Sequence, residues 1–176
     1  PPPLLASDKL NRLTIPKTPI GSKMSKSIIA PFAFLLLFAS SALAHEFKAG
    51  TLVIDHPWSR ATPPSAKVGG AYFTVTNTGT EPDILISANA VIADRAEFHS
   101  MTMDGDVMKM AKVDEPFVIK SGESITFEPG GLHLMLFDLK DGLNEGETFS
   151  GELKFEKAGP ITVEFRVDKM GAKTPS

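Results

Sequence analysis

Histidine and methionine side chains gather in one short stretch of this 176-residue chain. Between His99 and Met135 lie five of its seven methionines and two of its four histidines. They occur as His99-Ser100-Met101-Thr102-Met103, Met108-Lys109-Met110 and His133-Leu134-Met135. Zinc prefers Cys, His and carboxylate ligands and calcium prefers oxygen, whereas a thioether-rich set without cysteine favours copper(I). The composition therefore predicts a soft-metal site.

The two-residue spacing within each group predicts β-strands, because alternate residues of a strand project from the same face. Asp104-Gly105 separates two of the groups and is a favoured two-residue hairpin loop. With these two residues as the loop, we expect Met101 opposite Met108 and His99 opposite Met110. The hairpin would then gather one imidazole and several thioethers on one face.

A second register of the same hairpin stays open. A four-residue loop over 104–107 would close Met103 against Met108 and would place His99 opposite Lys112. The two registers put different methionines opposite each other, so they predict different ligand sets.

The third group predicts a strand with two unlike faces. Alternation puts His133 and Met135 on one face and Leu134 and Leu136 on the other, which is the natural core face. We therefore expect His133 and Met135 to face outward, with His133 near the surface after the turn at 129–131. Methionine is also a common core filler, so packing is the competing interpretation.

The N-terminal region predicts export. A positive start, an apolar run over 28–39 and the small-residue pattern Ala42-Leu43-Ala44 are typical of a signal peptide over 24–44. The run is short for a membrane span, so we expect cleavage after Ala44 rather than anchoring. Residues 1–23 are interpreted as a non-native upstream extension, and residues 45–176 as one folded domain.

Charge and cysteine content limit the function classes. Residues 45–176 carry 13 Lys and Arg against 20 Asp and Glu, a net charge of −7. An acidic surface argues against nucleic acid or an anionic membrane as partner. The absence of cysteine excludes disulfides and the thiolate of a blue-copper site. No nucleophile elbow, Cys-His pair or phosphate loop occurs, so an enzyme is not predicted.

Short β-branched and aromatic segments separated by turn residues predict an all-β fold, a single-domain antiparallel β-sandwich. Two of the segments should form a closing hairpin with one buried face. The expected strands are Leu52–Asp55, Gly70–Asn77, Ile84–Ala90, Ala96–Met103, Met108–Val113, Ser124–Phe127, His133–Leu139, Thr148–Glu156 and Ile161–Val167.

The two remaining histidines have different predicted roles. His56 precedes Pro57-Trp58, and a structural role beside the only tryptophan is favoured. His45 would be the first residue after cleavage, where an amino group and an imidazole could chelate copper(II).

Three segments together resemble the PCu(A)C (DUF461) family of periplasmic copper chaperones, over essentially the whole of 45–176. The family's copper motif runs His, about ten residues, Met, about twenty-one residues and His-x-Met. Here ten residues separate His99 from Met110, and twenty-two separate Met110 from His133. The matching segments are His56-Pro57-Trp58-Ser59-Arg60-Ala61, Asp104-Gly105-Asp106-Val107-Met108-Lys109-Met110 and Pro129-Gly130-Gly131-Leu132-His133-Leu134-Met135-Leu136.

The resemblance implies a cupredoxin-like β-sandwich in the periplasm that carries copper(I). It further implies delivery of copper to the CuA centre of cytochrome c oxidase, with the apo CuA domain and Sco-type proteins as partners. The implied ligands are His99, Met110, His133 and Met135, with Met101 or Met108 as an auxiliary ligand.

The competing hypothesis is an exported β-sandwich that acts as a protein-interaction module. Its methionine-rich patch would then be a partner surface, since flexible thioethers adapt to many partners. Binding of a partner without metal would distinguish this hypothesis from the copper carrier.

Overall fold

A computed structural model describes residues 46–176 of the chain. The predicted upstream extension 1–23, the predicted signal peptide 24–44 and His45 lie outside the described residues. The described part forms strands, and it contains no helix that is long and apolar enough to cross a membrane. Its strands are β1 (Glu46–Ala49), β2 (Leu52–Arg60), β3 (Val68–Asn77), β4 (Asp83–Ala90), β5 (Ala93–Asp104), β6 (Val107–Lys112), β7 (Phe117–Ile119), β8 (Ser124–Phe127), β9 (Leu132–Leu139), β10 (Thr148–Phe155) and β11 (Pro160–Asp168).

The strands form one hydrogen-bonded path in the order β6-β5-β9-β3-β2-β11-β10-β4-β7, with β1 paired to β2 and β8 to β3. Strands β5 and β7 are far apart in this order, yet the rings of Phe98 and Phe117 lie 5.2 Å apart. Phe73 on β3 likewise meets Phe165 on β11 edge to face at 6.1 Å. The sheet therefore folds over itself and encloses an apolar core, which confirms the all-β sandwich.

The predicted closing hairpin is confirmed as β10 and β11, which pair antiparallel. Alternate residues on both strands are buried, as the sequence pattern predicts. Gly151 is required on the buried face, because a Cβ there would lie 2.8 Å from the Asn89 carbonyl oxygen and 2.8 Å from the Phe165 ring. Phe149 stacks on Phe165 at 5.2 Å beside this glycine.

The sandwich is not purely antiparallel, which corrects the sequence prediction. Strand β2 continues past Asp55 to Arg60 and pairs in parallel with β11. The two parts of β2 are joined by a bulge at His56 and Pro57, which is seen as a shift in the register with β3 between Asp55 and Trp58. His56 takes a φ of 46°, and proline, which has no N–H to donate to the ladder, is tolerated at a bulge.

Strands β1 and β7 were not predicted. Strand β7 has only three residues, Phe117–Ile119, and β1 lies on β2 with half-exposed side chains. Segments this short carry little periodicity, so tertiary pairing decides whether they become strands.

A buried carboxylate ties the β10–β11 turn to β4. Asp83 is buried and accepts three backbone hydrogen bonds, from the N–H groups of Ile84 at 2.7 Å, Lys157 at 2.9 Å and Ala158 at 3.0 Å. These bonds satisfy both carboxylate oxygens and hold the far end of the sandwich.

Candidate metal centre

The β5–β6 hairpin pairs in the second of the two predicted registers. Met101 lies opposite Met110, Met103 opposite Met108, and His99 opposite Lys112. The first prediction, with Met101 opposite Met108 and His99 opposite Met110, is therefore wrong.

The loop explains this register. Only Gly105 and Asp106 form the turn, because the ladder continues to the pair Asp104 and Val107. Gly105 is the first loop residue and has a φ of 61°, in keeping with a type II′ turn, which has glycine at this place. Asp104 stays in the strand and forms an ion pair with Lys109. The loop has two residues in this register, not four.

Strand β5 brings the hairpin and the His-x-Met strand to one face. It pairs with β6 on one side and with β9 on the other, where His99 lies opposite His133 and Glu97 opposite Met135. Alternation along each strand then places the hairpin methionines, both imidazoles and Met135 on the same outer face. Strand β3 completes this face with Gly70 opposite Met135.

An open cavity of about 350 Å³ lies on this face. Four of the six predicted ligands line it: Met101, Met110, His133 and Met135. We name Met101 and Met110 the inner thioether pair, because they face each other across the hairpin at the cavity wall.

The other two predicted ligands lie outside the cavity lining. His99 stands beside His133, with ring centroids 6.1 Å apart. Met108 lies opposite Met103, two ladder positions beyond the pair Met101 and Met110 that lines the cavity, and is 60% exposed. Of the two candidate auxiliary ligands, the structure thus brings Met101 to the other donors and not Met108.

His133 has one ring nitrogen free. Its Nδ1 donates to the Gly131 carbonyl oxygen at 2.9 Å, which leaves the lone pair of Nε2 available in the neutral ring. The residue is only 4% exposed, so the prediction that His133 lies near the surface is wrong. The reason is the turn before β9, whose Gly131 carbonyl also accepts the Met101 N–H at 3.1 Å and so draws the turn against β5.

His99 has a buried nitrogen without a partner. Its Nε2 lies 3.1 Å from Glu97 Oε2, while its Nδ1 is buried and makes no hydrogen bond. A buried polar atom without a partner is costly unless it has a ligand. The carboxylate holds the ring by Nε2–H, which leaves Nδ1 with the lone pair that a metal requires.

Glu97 is an ionised anchor for this ring. The hydrogen bond from His99 and the one from Arg95, whose Nη1 lies 2.6 Å from Oε1, hold the pKa of Glu97 below its usual value. Lys112 adds a weaker attraction, with its Nζ 3.8 Å from Oε1. The sequence pattern of histidines and methionines did not indicate a role for Glu97. Its position two residues before His99 on the same strand does place both side chains on one face.

Aromatic and cationic groups complete the cavity and were missed by the sequence analysis. Tyr72 and Arg60 line it, and Arg60 lies 5.6 Å over the Tyr72 ring. Burial raises the pKa of Tyr72 above its usual value. Gly70 leaves room for this phenol, because a Cβ there would lie 2.9 Å from the Tyr72 hydroxyl oxygen. The glycine was the one signal that could have indicated a close approach here.

Trp58 and His56 are not among the residues that line this cavity. Trp58 packs on Tyr72 with ring centroids 4.7 Å apart, while His56 is exposed at the β2 bulge. Within residues 46–176, no three His, Asp or Glu side chains cluster as metal ligands.

Comparison with known protein families gives one match across most of the described domain. The family described as "Putative lipoprotein LpqE-like" matches residues 52–167. The protein RP573 of Rickettsia prowazekii (strain Madrid E), described as uncharacterized, is 38% identical over 96 residues, which are 53% of either chain. The putative lipoprotein Lxx21020 of Leifsonia xyli subsp. xyli (strain CTCB07) is 27% identical over 112 residues, 62% of this chain and 66% of the relative. The chain thus spans between half and two thirds of the length of these curated relatives.

Solved structures share the fold. The copper-bound PCuAC domain from PmoF2 is 29% identical and covers 71% of this chain and 98% of its own, with a TM-score of 0.61. The copper(I) form of DR1885 from Deinococcus radiodurans is 28% identical and covers 74% of this chain and 85% of its own, with a TM-score of 0.53. These likenesses confirm the cupredoxin-like fold that the family resemblance implies.

Proposed function

The chain belongs to the LpqE-like family and is a PCu(A)C-type domain, and from this premise we propose that it is an exported copper(I) chaperone. The observation that carries the proposal is a cavity lined by His133 and three methionines, with the ring of His99, whose buried Nδ1 has no partner, 6.1 Å from the His133 ring. These donors are the soft and borderline ligands that copper(I) prefers. The copper-bound state of the PmoF2 domain and the copper(I) state of DR1885 support the same metal.

The proposed ligands are His133 through Nε2, His99 through Nδ1, and the thioethers of Met110 and Met135. Met101 is the proposed auxiliary ligand, since it faces Met110 across the hairpin. Thioethers need no deprotonation and lack the negative charge of thiolates. The copper is therefore cargo that exchanges.

We further propose that the carrier works in the periplasm and delivers copper toward the CuA centre of cytochrome c oxidase, with the apo CuA domain and Sco-type proteins as partners. The sequence resemblance supports this destination. The predicted signal peptide over 24–44 and the lipoprotein descriptions of the family and of one relative support export. A copper(II) role of His45 is a separate proposal, whose test is a titration with copper(II) of the cleaved protein and of its His45→Ala variant.

The test is a competitive titration of the purified protein with copper(I) against a chromogenic chelator. We expect one tight site, and we expect the His133→Ala, Met135→Ala double variant to lose it. The matched control is His56→Ala, which removes an exposed imidazole outside the cavity. An unchanged affinity in the double variant would refute the ligand set. X-ray absorption then counts ligands directly, and a shell of nitrogen and oxygen without sulfur would exclude the thioethers.

The second candidate function is the protein-interaction module, which one observation favours. Met103 and Met108 are each at least 60% exposed on one face at the end of the β5–β6 hairpin. An exposed apolar patch of this kind is typical of a partner surface. This function predicts that capture of a partner is equal with and without copper(I), whereas the carrier predicts that copper(I) changes it.

A further inference from the structure

Two methionines lie beyond the cavity, and the proposed ligand set leaves them unused. Met103 and Met108 face each other across the β5–β6 hairpin, two ladder positions closer to the turn than Met101 and Met110. We name Met103 and Met108 the outer thioether pair. Directly opposite residues have Cβ atoms about 4.5–5.5 Å apart. The outer and inner pairs share one face and are about 6.8 Å apart along the strand. Four thioethers thus lead from the turn of the hairpin to the cavity.

Packing does not account for the outer pair. Met103 is 63% exposed and Met108 is 60% exposed, and every residue of β6 is exposed. A methionine used as core filler would be buried. Thr102 and Lys109 project from the opposite face of the hairpin, so they do not cover the two sulfur atoms. Both thioethers are therefore open to a ligand from solvent.

The donors at the outer pair are sulfur. Asp104 is the nearest carboxylate along β5, and it already forms an ion pair with Lys109. Two neutral thioethers select a soft monovalent cation over calcium or magnesium, which take oxygen ligands. They also bind it weakly, because neither donor carries a charge.

We propose that the outer thioether pair is a second copper(I) site, which receives the ion and passes it to the cavity. The proposal rests on the copper(I) carrier function and extends it to the path of the metal. Transfer is ligand exchange at constant oxidation state: a bond from copper to a sulfur of the inner pair forms as a bond to Met103 or Met108 breaks. No electron or proton moves, so no co-reactant is needed.

The first test uses the Met103→Leu, Met108→Leu double variant of the purified protein. Leucine keeps the size and apolar character of methionine and removes the sulfur, so a docking role of the patch would persist. Copper(I) is supplied as its bicinchoninate complex, and loading is followed by stopped-flow absorbance. The matched control is Met170→Leu, since Met170 is also 63% exposed and lies outside the hairpin.

We expect loading and unloading of the double variant to slow by the same several-fold factor, with the equilibrium affinity of the cavity unchanged. The reason is that a site on the path alters both rates and leaves the two end states as they were. Unchanged rates would overturn the proposal. A large fall in equilibrium affinity would also overturn it, because the two methionines would then be ligands of the main site.

The second test separates this proposal from the carrier function itself. The His133→Ala, Met135→Ala variant is labelled with ¹³C at the methionine methyl groups and titrated with silver(I) as a redox-inert substitute for copper(I). We expect the Met103 and Met108 methyl resonances to shift although the cavity is disabled. If these resonances do not shift, the outer site is overturned, whatever the unmodified protein binds. If instead the unmodified protein has no tight copper(I) site, only the carrier function is refuted.

Discussion

Replacing Glu97 tests whether a carboxylate orients a copper ligand in this domain. Glu97 Oε2 lies 3.1 Å from His99 Nε2, and this contact directs the buried, unpartnered Nδ1 away from the carboxylate. Loss of such a supporting partner typically lowers metal affinity by about 10–100-fold. We therefore expect Glu97→Ala to weaken copper(I) binding by an amount in this range.

The charged neighbours of Glu97 indicate where in the range of about 10–100-fold the variants Glu97→Ala and Glu97→Gln should fall. Arg95 Nη1 lies 2.6 Å and Lys112 Nζ 3.8 Å from Oε1. In the alanine variant these two positive side chains lose the Glu97 carboxylate as a partner, and their charges would oppose the binding of a copper ion nearby. Glu97→Ala should therefore approach the upper end, about 100-fold. In Glu97→Gln the amide oxygen can still accept the hydrogen bond from Nε2–H, so a loss nearer about 10-fold is expected.

The assay is the competitive copper(I) titration, with the His99 tautomer read from ¹⁵N chemical shifts. The matched control is Glu164→Gln, an exposed glutamate on β11. We expect both Glu97 variants to increase the population with a proton on Nδ1, while the control changes neither the tautomer nor the affinity. Wild-type affinity in Glu97→Ala would refute the reasoning, and so would a loss of affinity with the tautomer unchanged.

Three further predictions concern stability and the ligand set. Asp83→Ala should lower the free energy of unfolding by about 1–3 kcal/mol in urea denaturation, because three backbone N–H groups lose a buried charged acceptor; a loss below about 0.5 kcal/mol would contradict this. Gly151→Ala should cost about 1–3 kcal/mol in the same assay, since its Cβ would meet backbone oxygen and an aromatic ring at 2.8 Å; an unchanged midpoint would show that the strand moves freely. Met101→Leu should weaken copper(I) binding by about tenfold relative to Met170→Leu, because only the first removes a sulfur at the cavity, and equal affinities would exclude Met101 as a ligand.

Faces of strands could be predicted from the sequence because they depend on local geometry. The period of two put Leu134 and Leu136 in the core, and both are fully buried. The same period put His133 and Met135 on the other face, where both line the cavity. The degree of burial of His133 could not be predicted, because the turn that covers it is drawn in by a hydrogen bond to Met101 on another strand.

The hairpin register shows where local pattern fails. The two registers considered differ by two residues, and a shift of two keeps every side chain on its face, whereas a shift of one would reverse them. Hydrophobic pattern therefore cannot distinguish them, and the turn geometry at Gly105 decided the outcome. The order of the strands is also non-local, since β5 pairs with β9, whose partner residues come more than thirty positions later.

By itself, the sequence determined the donor chemistry of this protein: thioethers and imidazoles without thiolates, on strands whose alternation gives them a common face. Only the tertiary structure decided which donors meet. It put Met110 rather than Met108 opposite Met101, set His99 beside His133, and added Glu97 behind the ring. The physical reason is that donor type is a property of each residue, whereas a site depends on pairings between distant strands, and these are selected by the free energy of the whole fold.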